Sequence, residues 1–112
     1  METSLRKLIT FSVMSLLLSQ PVFAADQEIA LFIHAHQFQP SELKVPAHQR
    51  IRLAVKNLDD TPEEFESHAL NREKLIPAGG SAVIYIGPLK PGRYDFFGEF
   101  NPSSAKGVVI VE

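Results

Sequence analysis

The run "EIALFIHAHQF", residues 28–38, alternates apolar and polar side chains and is rich in residues that favour extended chain. A period of two is the signature of a strand with one face buried, and it excludes an amphipathic helix here. Leu31, Ile33 and Ala35 point one way, and Phe32, His34, His36 and Phe38 the other. The same period returns in "IRLAVKN", "SAVIYIG", "YDFF" and "GVVIV", and more briefly in "SELKV" and "EEFES". Between these runs lie turns built on Pro40, Pro46, Pro62, Pro88, Pro91 and Gly92. Proline pre-sets φ for a turn and glycine supplies positive φ. Short strands at regular spacing predict an all-β antiparallel sandwich of about seven strands with Greek-key connections. "HALNREKLI" is read as a short mixed stretch with room for one helical turn.

The beginning of the chain follows a different logic. "METSLRKLITFSVMSLLLSQPVFAA" places Arg6 and Lys7 before an apolar run from Leu8 to Leu18 and ends in small residues. This is the charged, apolar and cleavage-region order of a secretory signal peptide. It predicts a leader at 1–24, export to the periplasm, and one domain at 25–112. The apolar run falls short of the roughly 20 residues that a spanning helix needs, so no membrane insertion is expected after cleavage.

Beyond the leader, nine Lys and Arg stand against twelve Asp and Glu, with no basic patch. That balance argues against a nucleic-acid partner and against a polybasic membrane-surface site. Cysteine is absent, and both methionines, Met1 and Met14, fall within the leader. The exported domain therefore has neither a disulfide nor a sulfur ligand. Nothing matches a G-x-S-x-G elbow, and "PAGG" and "SAKG" lack the order of a phosphate loop.

Carboxylates and imidazoles remain as chemistry-bearing groups. Glu64 and Glu66, two apart on a strand, project to one face while Phe65 faces the other. They form either a cation clamp or an acidic edge that discourages strand pairing. His34 and His36 share a strand face, and His36 is placed nearer the loop-bearing end as a candidate ligand. His68 would follow Glu66 on the same face, although roughly 13 Å from Glu64 if the strand persisted. His48 is read as a turn residue that tolerates left-handed backbone. If successive strands run back and forth, the loops at 37–40, 58–64 and 98–106 share one end of the sandwich. Binding sites are commonly built on loops so clustered.

The order F-x-P-x-x-L-x-V-P-A, then I-x-L-x-V-x-N, then "PLKPGRYDFF" and a terminal "GVVIV" resembles the cupredoxins. The longer series "NLDDTPEEFESHALNREKLIPAGG" and "YIGPLKPGRYDFFGEFNPSSAKG" is similar to the small exported cupredoxin-like proteins that accompany bacterial high-affinity iron permeases. The resemblance implies a periplasmic protein serving iron uptake, with a copper or iron ion at the loop-bearing end. It implies an iron permease, or that permease's periplasmic partner, as the protein partner.

Carried over position by position, the family's first histidine ligand falls at Glu63 or Glu64, its cysteine at Gly98 and its later histidine near Asn101. Its axial methionine falls among residues 102–105. Each is replaced, so the thiolate-centred blue-copper site that serves electron transfer is absent. Glu99, beside the place of the missing cysteine, becomes a candidate replacement ligand. Asn101 is read as a loop brace or a neutral ligand, and Phe97 and Phe100 as core or as a dry wall around an ion. The metal candidates are thus Glu64, Glu66, Glu99, His36 and His68. Three roles follow: a metal-binding accessory protein, a metal-free docking module, or one component of a copper-dependent ferroxidase.

Overall fold

The computed structural model describes residues 26–112, so the leader expected at 1–24 lies outside the described residues. The described chain forms nine strands: β1 (Gln27–His34), β2 (Gln37–Gln39), β3 (Glu42–Val45), β4 (Ile51–Asn57), β5 (Glu63–Ser67), β6 (Arg72–Ile76), β7 (Ser81–Ile86), β8 (Gly92–Gly98) and β9 (Lys106–Val111). They make two sheets, ordered β2-β1-β4-β7 and β3-β9-β8-β5-β6. No helix long and apolar enough to cross a membrane occurs among the described residues.

The all-β sandwich agrees with the sequence reading; the strand count and the pairing do not. Two strands had no separate place in that reading. β2 is only three residues long, and β6 lies inside "HALNREKLI", the mixed stretch with room for one helical turn. The expectation of wholly antiparallel pairing also fails, because β1 runs parallel to β4 and β3 parallel to β9. Alternation reports which face of a strand is buried but carries nothing about which strand lies beside it. Here β3 leaves the sheet of β1 and β2, and β4 returns to it.

Inward residues alternate as the period predicts: Leu31 and Ile33 on β1, Ile51, Leu53 and Val55 on β4, Val109 and Val111 on β9. Phe38 departs from its expected face. Ala35 and His36 form the two-residue turn between β1 and β2, with φ of 50° and 57°. Positive φ at both central positions matches the right-handed twist of a hairpin. The turn sets Ile33 opposite Phe38 and sends both side chains to the core. His36 is correspondingly a turn residue rather than a strand residue. His48, with φ of 59°, sits in left-handed backbone as expected.

Three aromatic rings fill the centre of the sandwich. Phe65 stacks on Phe96 at 4.9 Å between centroids, and Phe38 meets them edge-on at 6.0 and 5.0 Å. Such pairs contribute about 0.5–1.5 kcal/mol each beyond their buried area. The Phe96 ring lies directly over Gly107 on the neighbouring strand, where a Cβ would come within 2.2 Å of it.

Candidate metal centre

On β5, Glu63, Phe65 and Ser67 are buried, while Glu64 and Glu66 are half-buried on the outer face. This is the division of faces that the spacing predicts. β6 pairs antiparallel with β5 and sets Glu73 directly opposite Glu66. One carboxylate oxygen from each of Glu64, Glu66 and Glu73 then lies within 4.8 Å of the others. Like charges at that separation disfavour joint ionisation. The Glu64 carboxyl is accordingly pushed up to about 7, first by a side-chain hydrogen bond with Glu73. Desolvation and the charges of Glu73, Glu66 and Glu99 act in the same direction.

The margins of this trio carry two more of the expected residues. The Glu99 backbone N–H donates to the Glu64 carbonyl at 2.9 Å, which brings the start of the β8–β9 loop alongside. His68 Nδ1 stands 3.9 Å from Glu66 Oε1, with its ring 5.8 Å from that of Phe97. The strand ends at Ser67, so the chain turns at His68 instead of carrying it further along β5. Phe97, opposite Glu66 on β8, is half-buried, while Phe100 is exposed.

His36 is engaged elsewhere. The backbone N–H groups of Ala35 and His36 donate to Asp59 at 2.8 and 3.0 Å, and His36 Nδ1 is 3.6 Å from Asp59 Oδ2. The His36 N–H is the largest of the influences that hold the Asp59 carboxyl below its ordinary value, helped by the Ala35 N–H. The His36 carbonyl accepts from the Ser104 hydroxyl at 2.7 Å. Its contacts brace the β1–β2 turn, and it takes no place in the carboxylate trio.

Glu73 is the member that the sequence reading missed. The signal was the hairpin itself. A turn over 68–71 in place of a helical turn would have put Glu73 across from Glu66.

The position that the cupredoxin resemblance assigns to copper is filled by protein. Glu63 is 2% exposed, and its Oε1 accepts from the backbone N–H of Glu64 and of Phe100, each at 2.9 Å. Its Oε2 accepts from Asn101 Nδ2 at 2.8 Å. A Cβ on Gly98 would stand 2.6 Å from Glu63 Cδ and 2.7 Å from the Ala105 Cβ. Among the described residues no buried side-chain polar atom lacks a partner. A thiolate-centred copper site does not fit here: glycine holds the cysteine's place, and a carboxylate fills the space a side chain there would need.

The sequence matches the cupredoxin-like domain family over residues 7–111, and the chain belongs to that family. It is 46% identical over 84 residues to the uncharacterized protein RP394 of Rickettsia prowazekii (strain Madrid E), covering 75% of this chain and 67% of that one. The fold is similar to that of auracyanin A, a blue copper protein from Chloroflexus aurantiacus. That likeness has a TM-score of 0.69 at 13% identity, covering 79% of this chain and all of that one. It is also similar to the metal-binding domain of the Cu(I)-exporting P-type ATPase CopA of Streptococcus pneumoniae D39. There the TM-score is 0.68 at 15% identity, covering 76% of this chain and 84% of that one.

Proposed function

We propose that this chain is an exported metal-binding accessory protein of an iron-uptake system, holding iron or Cu(II) on the outer face of β5 and β6. One observation carries the reading: three carboxylate oxygens within 4.8 Å of one another, with Glu64 pushed up to about 7. A cation placed between them would relieve the repulsion that a proton now relieves. Glu64, Glu66 and Glu73 supply the donors, with Glu99 and His68 at the margin. Carboxylate oxygen with an imidazole nearby is a hard-to-borderline set, suited to iron, manganese, zinc or Cu(II) rather than Cu(I). Membership of a family whose structural neighbours include copper proteins supports a metal role. Export rests on the leader pattern at 1–24. The iron permease, or its periplasmic partner, as recipient rests on the resemblance of the 57–107 segment.

A metal-free docking module is the second reading, favoured by the exposed side chains of Leu58 and Phe100. Calorimetric titration of chelator-treated protein with Cu(II), and anaerobically with Fe(II), separates the two. Binding near one equivalent that weakens at least tenfold in both Glu64→Gln and Glu73→Gln supports the metal role. Absence of binding by either ion overturns it and leaves the docking module.

A further inference from the structure

The inherited copper position poses a question that the surface carboxylates do not answer. The ligand positions carried over from the cupredoxin resemblance fall at the start of β5 (Glu63 or Glu64), at Gly98 on the neighbouring β8 and at Asn101 in the loop after it. Here the start of β5 and the loop between β8 and β9 meet through a protein side chain, the Glu63 carboxylate, which already accepts from groups of the loop. We propose that the buried Glu63 carboxylate takes the ion's place as an internal tie, ordering the 98–105 loop without metal and thereby positioning Glu99 beside Glu64.

The geometry supports this atom by atom. Oε1 is shared by the Phe100 and Glu64 amides, and Oε2 takes the Asn101 side-chain amide. Three N–H donors converging on the one carboxylate replace the hydrogen bonds to water that it loses on burial. The loop then closes on itself: Gly98 N–H donates to the Ala105 carbonyl at 2.8 Å, and Ala105 N–H to the Asn101 carbonyl at 2.8 Å. Gly98 completes the arrangement, since only a residue without Cβ leaves room for the Glu63 carboxyl. From this tie the link to the surface is one residue long on each side, along β5 and along the β8–β9 loop. Glu64 follows Glu63, Glu99 precedes Phe100, and the Glu99 N–H meets the Glu64 carbonyl. Glu63 is therefore a positioning residue, and its effect on the outer carboxylates passes through the backbone.

The test is amide hydrogen exchange, read by NMR on the full mature chain in chelator. Running it without metal keeps its outcome independent of whether the outer carboxylates bind an ion. In the wild-type protein the Phe100 amide is expected to exchange at least about 100-fold slower than in an unstructured chain. Glu63→Ala removes all three acceptor contacts and should return Phe100 close to unstructured rates. Amides of β1 and β4 should stay protected. Should Glu63→Ala fail to fold, Asn101→Ala removes a single bond at the loop and should speed Phe100 exchange roughly tenfold. Unchanged Phe100 exchange in a folded Glu63→Ala protein would overturn the proposal. So would a wild-type loop that exchanges freely until Cu(II) or Fe(II) is added.

Discussion

Substituting Glu73 by glutamine in chelator-treated protein isolates the interaction that dominates the outer carboxylates. In the wild-type chain Glu64 is held protonated to about pH 7, chiefly through its hydrogen bond with Glu73. A glutamine at 73 removes one negative charge and offers an N–H that can donate to ionised Glu64. Both changes favour the charged form, so the midpoint should fall from about 7. Desolvation and the charges of Glu66 and Glu99 remain, which should keep it above the ordinary value.

The sign of the pH dependence follows from linkage. Between the ordinary 4.5 and about 7, native Glu64 keeps a proton that the unfolded chain has released. Stability from this group is therefore full below pH 4.5 and declines as pH rises to 7. Glu73→Gln should flatten that decline, and a bound divalent cation, by favouring ionised Glu64 in the folded state, should oppose it within the same pH window. Side-chain carbon-detected NMR titration gives the midpoint, and thermal melts from pH 4 to 8 give the slope. A wild-type Glu64 midpoint near 4.5, or one that Glu73→Gln leaves at 7, would refute the reasoning.

The core and the β1–β2 turn carry two further expectations. Phe65→Ala empties the space beside Phe96 and Phe38 and should cost about 3–5 kcal/mol in urea unfolding, with Tm lower by about 15 °C or more. A loss below about 1.5 kcal/mol would mean that the ring stack is not the centre of the core. Asp59→Ala removes the acceptor for the Ala35 and His36 amides and should cost about 1–2 kcal/mol at neutral pH. Because the Asp59 carboxyl is held below its ordinary value, its contribution is present above that value and lost as pH falls. The difference between wild type and Asp59→Ala should therefore shrink toward pH 3, and a difference constant with pH would argue against the turn contact.

Alternation made the class of fold and most of the core legible, because a buried face leaves its period in the sequence whatever the neighbours are. It failed at Phe38, where two positive-φ residues reset the phase that a continuous strand would have kept. It failed also for β1 beside β4 and β3 beside β9, since pairing across long connections leaves no local trace. At the site, Glu64 and Glu66 were legible as one face from their spacing, whereas Glu73 needed the β5–β6 register. Glu63 was harder still. A carboxylate at an inward position gives no sign of its role until the Phe100 amide and the Asn101 side chain are seen converging on it.

The placement of β9 bears on when this domain can form. It is the latest of the described strands in the chain, yet it lies inside its sheet, between β3 and β8. β3 has no other hydrogen-bonded neighbour in the sheet. Until residues 106–111 are available, β3 stays unpaired and the five-stranded sheet cannot close over the Phe38–Phe65–Phe96 rings. Assembly of that kind waits on contacts between distant parts of the chain, which slows folding. A polypeptide emerging from the ribosome would thus lack the closed five-stranded sheet until residues 106–111 appear.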